Sequence, residues 1–180
     1  MLTTKSTKYP LPSRILHWLM AVIILTLLGL GIYMSEFLPK EATNRMEIYN
    51  LHKSLGVMAL VLIFFRIINR LIHKAPALPQ SISKLEITLA HLGHFGLYFL
   101  MIIAPLSGYL MSNSAGYPAV FFGYELPFLI EKNLEIRKFF AETHELSTYG
   151  LLGLIAIHIS AVIKHRFFDK PENDVLKRMI

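Results

Sequence analysis

Residues 139–163 read FFAETHELSTYGLLGLIAIHISAVI, and this stretch decides the fold. Its 25 residues are enough to cross a hydrocarbon layer of about 30 Å as a helix. The run carries His144 and His158, fourteen residues apart. In an α-helix that spacing puts both side chains on nearly one face, roughly 21 Å apart along the axis. Because ionisable side chains inside a span are costly and usually functional, both histidines are candidate ligands, one near each side of a membrane.

The composition is that of a membrane protein. Hydrophobic residues make up 54% of the 180-residue chain and charged residues 17%, which is too apolar for an ordinary soluble domain. The chain has no cysteine, so disulfides, iron–sulfur clusters, thiolate zinc sites and thioether-linked haem are excluded. The net charge of +6 does not indicate nucleic-acid binding, because the basic residues flank apolar segments.

Four segments are long and apolar enough to span a membrane. They cover residues 15–34, 49–72, 85–111 and 139–163, with polar or Pro- and Gly-rich connections between them. Since backbone groups in lipid must be hydrogen-bonded internally, each span should be a helix. The chain is therefore predicted to be an all-α integral membrane protein, one four-helix antiparallel bundle over residues 1–180.

Basic residues predict the orientation of the bundle. Twelve of them belong to the side that holds both tails and the second connection: Lys5, Lys8, Arg14, Arg66, Arg70, Lys74, Lys84, Lys164, Arg166, Lys170, Lys177 and Arg178. Six belong to the opposite side: Lys40, Arg45, Lys53, Lys132, Arg137 and Lys138. Because lysine and arginine are in excess in cytoplasmic loops, both termini are expected to be cytoplasmic.

The predicted depths of the histidines sort them into two groups. On the outer side, His52 of the second span lies at a depth similar to that of His144. Two neutral imidazoles from different helices can bind the two faces of a haem iron. On the inner side His158 has three candidate partners, among which depth does not choose: His17, His91 and His94. Zinc is less favoured, because no acidic or thiol ligands cluster with these histidines.

The sequence leaves more than one interpretation open for the roles of several polar residues. His91 and His94 share one helix face and could contact haem propionates, line a quinone pocket or bond each other. Lys53, beside the outer histidine, is equally consistent with neutralising a propionate, attracting an anion or being a solvated rim lysine. His73 and His165 are predicted to be solvated boundary residues.

Arginines at the inner depth are candidate partners for haem carboxylates. Arg66 follows His52 by fourteen residues, which places it on nearly the same face and roughly 21 Å deeper. A propionate would satisfy its guanidinium by a charge-assisted hydrogen bond. Arg14, near the start of the first span, could serve likewise, whereas Arg70 is interpreted as reaching to the membrane interface. Trp18 also suits that interface.

The histidines lie within short motifs whose order and spacing are specific together. These are LHW at residues 16–18, LHKSLG at 51–56, AHLGH at 90–94, HE at 144–145 with YG at 149–150, KHRFFDK at 164–170 and LKRM at 176–179. In this arrangement the chain resembles, over nearly its whole length, the bacterial cytochrome b-561 family of small di-haem membrane proteins.

The resemblance implies two b-type haems. Helices 1 and 4 would share a cytoplasmic haem through His17 and His158, and helices 2 and 4 a periplasmic haem through His52 and His144. Members of the family are similar in passing electrons between haem and quinone in the bacterial inner membrane, and one kind oxidises superoxide while reducing ubiquinone. Related subunits are membrane anchors for a separate soluble dehydrogenase or hydrogenase, so a redox partner protein is the alternative expectation.

Overall fold

Four long helices make up most of the computed structural model, which describes residues 8–79 and 81–180. They are α1 (Leu11–Ile32), α2 (Arg45–Ile72), α3 (Lys84–Ser114) and α4 (Leu134–Phe167), and α1 continues into a π-helical turn at Tyr33–Phe37. Each helix is long and apolar enough to cross a membrane. The prediction of a four-helix membrane bundle is confirmed. Lys5, which entered the orientation argument, lies outside the described residues.

Helices α3 and α4 begin before the predicted apolar spans, at polar residues that cap them. At the start of α3, Ser83 Oγ accepts a hydrogen bond from the N–H of Glu86, and the Glu86 carboxylate accepts one from the N–H of Ser83. At the start of α4, Asn133 Oδ1 accepts hydrogen bonds from the N–H groups of Glu135 and Ile136. Such caps satisfy backbone donors that the first helical turn leaves without partners. Helix α4 therefore begins five residues before the predicted span.

The bundle buries little and exposes much apolar surface. Helix α3 packs most extensively against α4, α1 against α2, and α2 against α3. The buried residues that pack into one hydrophobic cluster are few: Met20, Ile24, Ile63 and Leu151. In contrast Val22, Phe64 and Ile157 are each more than 60% exposed on the helix surfaces. Apolar side chains exposed over four whole helices are what lipid, rather than water, would solvate.

Helices α3 and α4 approach closely through glycine. A Cβ at Gly96 would lie 2.8 Å from Leu154 Cδ1, and a Cβ at Gly108 would lie 3.0 Å from His144 Cε1. Small residues let helix backbones come together where the hydrophobic effect does not drive association. These contacts fix the position of α4 next to α3.

A short hairpin lies in the connection between α3 and α4. Its strands β1 (Val120–Phe121) and β2 (Tyr124–Glu125) are antiparallel, and the turn between them holds Phe122 and Gly123 at φ values of 46° and 94°. The side chain of Ser54 in α2 is 2% exposed and accepts a hydrogen bond from the N–H of Phe122 at 2.9 Å. The hairpin is thereby attached to α2 two residues beyond His52.

Residues 171–180, the C-terminal tail, fold back onto the same end of the bundle as the start of α1. The tail contains two short 3-10 turns, Pro171–Asn173 and Leu176–Arg178. Asp174 is 6% exposed and forms ion pairs with Arg166 and Lys177. The tail is therefore an ordered part of the fold, although chain ends are commonly poorly ordered unless tied down.

Candidate functional site

The structure brings His52 of α2 and His144 of α4 together near one end of the bundle. Their ring centres are 6.3 Å apart and the ring planes meet at 84°. Both side chains are partly buried between the helices. This is the pair that topology alone singled out, and we call it the outer pair.

The imidazole of His144 is held in one tautomer. Its Nδ1 lies 2.8 Å from the carbonyl oxygen of Ala104 in α3. A carbonyl only accepts hydrogen bonds, so Nδ1 must carry the proton and Nε2 keeps a free lone pair. Hydrogen bonding of the other ring nitrogen to a carbonyl is the usual support for a metal-binding histidine. Gly108 allows the approach, because a Cβ there would lie 3.1 Å from Nδ1.

His52 stands opposite with a ring nitrogen free of hydrogen bonds. Its Nδ1 is buried and has no partner among the described residues. Gly31 of α1 lies next to the ring, where a Cβ would be 3.8 Å from His52 Cε1. The neighbouring Lys53 is not simply solvated, since its Nζ donates to the carbonyl of Pro118 at 3.2 Å and lies 5.8 Å from the Tyr117 ring centre.

Three histidines from three helices meet at the other end of the bundle. The ring centres of His17 and His158 are 6.3 Å apart, with the planes at 62°. His94 is also close, with its ring centre 5.6 Å from that of His158. Both His94 and His91, the fourth candidate, are exposed residues of α3. We call His17 and His158 the inner pair.

Arg66 reaches the inner pair from α2. Its Nη2 lies 2.9 Å from Nδ1 of His17, and its guanidinium carbon is 5.8 Å from the ring centre of Tyr98. Arginine only donates hydrogen bonds, so His17 Nδ1 is the acceptor and the ring carries its proton on Nε2 in this arrangement. The second terminal nitrogen, Nη1, is buried without a hydrogen-bond partner.

Both ring pairs have the spacing expected for two axial ligands of one iron. A metal–imidazole bond of about 2 Å, with about 1.1 Å from nitrogen to ring centre, puts two axial ring centres about 6 Å apart. Both pairs measure 6.3 Å. Among the described residues, three buried side-chain atoms lack hydrogen-bond partners: His52 Nδ1, Arg66 Nη1 and Arg14 Nε. Haem supplies both a metal and carboxylates, so the donor set fits it.

Trp18 has two contacts that the sequence did not indicate. Its ring is edge-on to His17, with centres 5.2 Å apart, and its Nε1 donates a hydrogen bond to the carbonyl of Met179 at 2.9 Å. Sequence reasoning assigned Trp18 only to the membrane interface. Adjacency to His17 was the one available signal, because the partner lies 161 residues away along the chain.

A cluster of polar residues at the end of α4 corrects one prediction. His165 is not a solvated boundary residue, since its side chain is 13% exposed and its Nδ1 lies 2.6 Å from Asp169 Oδ2. Glu86 completes a set of three potential metal ligands in the described part of the chain. The ammonium of Lys164 already bridges the two carboxylates, at 2.6 Å from Glu86 and 3.0 Å from Asp169. The cluster is therefore an ion-pair network.

Comparison with known proteins identifies relatives along nearly the whole chain. The family model described as prokaryotic cytochrome b561 matches residues 8–180. Cytochrome b561 homolog 2 of Escherichia coli (strain K12) is 29% identical over 179 residues, which is 99% of this chain and 94% of the relative. The probable superoxide oxidase CybB of Yersinia pestis is 26% identical over 164 residues, 91% of each chain. Cytochrome b561 homolog 1 of Escherichia coli (strain K12) is 25% identical over 166 residues, 91% of this chain and 92% of the relative.

These matches confirm the resemblance that the motifs indicated. The family implies b-type haem, and the four apolar helices make the chain a multi-pass bacterial membrane protein whose role is electron transfer. The chain belongs to the prokaryotic cytochrome b561 family.

Proposed function

We propose that this chain carries electrons between a donor on the outer side of the bacterial inner membrane and the ubiquinone pool, through two bis-histidine b-type haems. The observation that carries the proposal is the repeated geometry: two imidazole pairs with the same 6.3 Å spacing share α4. Their α4 members are fourteen residues apart, hence roughly 21 Å along the helix. When bound, each haem would supply a one-electron carrier whose potential depends on its axial ligands and their surroundings.

The residues of the outer pair are suited to hold a metal at a fixed orientation. His144 directs its Nδ1–H at Ala104 and leaves Nε2 for the iron, and His52 lies on the opposite side. The hairpin is hydrogen-bonded to Ser54, two residues after His52. We propose that this pair accepts electrons from the outer donor.

At the inner pair, Arg66 would change partner when haem binds. Iron ligation through Nε2 of His17 requires the ring proton on Nδ1, where Arg66 now donates. A haem carboxylate is a stronger acceptor for a guanidinium than a neutral imidazole. We propose that Arg66 and Arg14 bind the carboxylates of the inner haem, while His17 and His158 bind its iron.

Superoxide is the donor that we propose. Two superoxide ions would each give up one electron and become oxygen, and the two electrons with two protons would convert ubiquinone to ubiquinol. The support is the 26% identity to a probable superoxide oxidase. The connections on the proposed outer side and the helix ends next to them carry eight acidic residues against six basic ones, so attraction of the anion must be local, through Lys53, Arg137 or Lys138.

The first experiment is an absorption spectrum of the detergent-solubilised protein with haem quantified per chain. We expect a Soret band, a reducible α-band and two haems per chain. The absence of both bands would refute the proposal that the chain binds haem. One haem per chain would refute the proposal that each of the two histidine pairs binds a haem.

The second experiment measures ubiquinone reduction while superoxide is generated enzymatically. We expect reduction that stops when superoxide dismutase is added. The matched control is His144→Ala, which should lose the outer haem and with it this activity. Ubiquinone reduction no faster than in a haem-free preparation would exclude superoxide as the donor.

A further inference from the structure

The last residues of the chain contact the only tryptophan. Trp18 lies one residue after His17, and its indole N–H donates to the carbonyl of Met179 at 2.9 Å. The indole is also edge-on to the His17 ring, at 5.2 Å between ring centres. One aromatic ring thus connects the C-terminal tail with an inner-pair histidine.

The tail is held at several other points around this contact. The backbone carbonyl of Arg178 accepts a hydrogen bond from the N–H of Tyr9 at 3.0 Å, just before α1. The side chain of Arg178 is 9% exposed and donates to the carbonyl of Ala77, in the connection between α2 and α3, at 2.7 Å. Ser81, in the same connection, donates to Asn173 at 2.6 Å. The tail therefore bridges the start of α1, this connection and the end of α4.

Buried ionic groups reinforce these attachments. Asp174 is 6% exposed and is paired with Arg166 at the end of α4 and with Lys177 within the tail. Because the Asp174 carboxylate is buried, removing its basic partners would leave it without a compensating charge, which is destabilising. The ion pairs of Asp174 thus help to hold the C-terminal tail, and with it the carbonyl of Met179, in a fixed place.

We propose that the C-terminal tail is a strap that positions Trp18 and, through its ring edge, sets the orientation of the His17 imidazole. His17 needs such support, because among the described residues its one side-chain hydrogen bond is the one from Arg66. The orientation of an axial imidazole is one of the properties by which a protein tunes a bound haem. The haem part of this inference rests on the proposed function, whereas the contact between tail and indole does not.

The test compares three variants: Trp18→Phe, a chain ending at Val175, and the two changes combined. Phenylalanine keeps an aromatic ring but has no N–H to donate. The truncation removes the Met179 carbonyl and Arg178. The outer haem is the internal control, because its ligands lie at the other end of the bundle, and its retention shows that a variant is folded.

The first readout is the indole N–H resonance of the dithionite-reduced protein. A single tryptophan gives a single resonance. We expect truncation to shift this resonance and to abolish its protection from hydrogen exchange. An unchanged, protected resonance after truncation would overturn the strap, whatever the haem content.

The second readout is the reduction potential and the low-spin ferric electron paramagnetic resonance signal of each haem. We expect both single variants to shift the inner-haem values in the same direction, the combined variant to shift them no further, and the outer-haem values to stay constant. A lost indole hydrogen bond with unchanged inner-haem values would refute the positioning role. If the unmodified chain bound no haem, the proposed function would fail, and the strap would be judged on the indole resonance alone.

Discussion

Gly108 leaves the space that the imidazole of His144 occupies: a Cβ at residue 108 would lie 3.0 Å from Cε1 and 3.1 Å from Nδ1 of that histidine. The contact accompanies the hydrogen bond from His144 Nδ1 to Ala104, one turn earlier on α3. The absence of a side chain at residue 108 therefore lets the imidazole reach the Ala104 carbonyl, and that carbonyl fixes the tautomer.

Substituting Gly108 should weaken the outer haem site. In Gly108→Ala the histidine must move by a few tenths of an ångström and strain its bond to Ala104. Overpacking of this kind costs about 1–3 kcal/mol, which corresponds to about 5-fold to about 160-fold in haem retention. The measurement is the rate of haem transfer to apomyoglobin. Gly93→Ala on the same helix is the matched control, because nothing lies within 4 Å of a Cβ there; equal rates in both variants would contradict the prediction.

Single ligand variants should separate the two proposed haems. We expect His52→Ala or His144→Ala to lower the haem content from two per chain to one, and His17→Ala or His158→Ala to remove the other haem. The two sets should lose different α-band components in a reductive titration.

His94→Ala is the decisive control for the inner pair, because its ring centre is nearer to His158 than that of His17. It should retain both haems. If His94→Ala lost the inner haem while His17→Ala kept it, the proposed inner pair would be wrong.

The fold and the site were open to prediction to different degrees. The apolar spans determine the number of helices. They do not determine where each helix begins, because a helix can continue into polar sequence beyond the lipid. The starts of α3 and α4, capped by Ser83 and Asn133, were therefore not predicted. The outer pair could be predicted from the sequence, because only two spans carry a histidine at the outer depth. The inner end has three candidate histidines, and rotation of the helices about their axes decides which of them meet. The contact of Trp18 with Met179 joins the two ends of the chain, which no local pattern encodes.

Arg66 should tune the potential of the proposed inner haem. A fixed positive charge destabilises the ferric state more than the ferrous state, so Arg66→Gln should lower the reduction potential of that haem. At an effective dielectric constant of about 20 the effect is on the order of 1 kcal/mol. Arg70→Gln, one turn further and exposed, is the control. Redox titration of both haems measures the effect, and a larger shift in the control would assign the role to Arg70.

The network at the end of α4 should make stability depend on pH in the acid range. The hydrogen bond from Lys164, with a further one from His165, lowers the pKa of Asp169 below its ordinary value of 3.8. Because the folded pKa is depressed, the stabilisation is present above the unfolded pKa and is lost as the pH falls through the folded pKa.

The apparent thermal midpoint in detergent, at one scan rate, should therefore drop on acidification toward pH 3. Asp169→Asn should lower the midpoint at pH 7 and flatten its dependence on pH. Glu172 is an exposed carboxylate of the tail, so Glu172→Gln should leave both the midpoint and its pH dependence unchanged. An acid dependence of the same size in Asp169→Asn would show that other carboxylates control it.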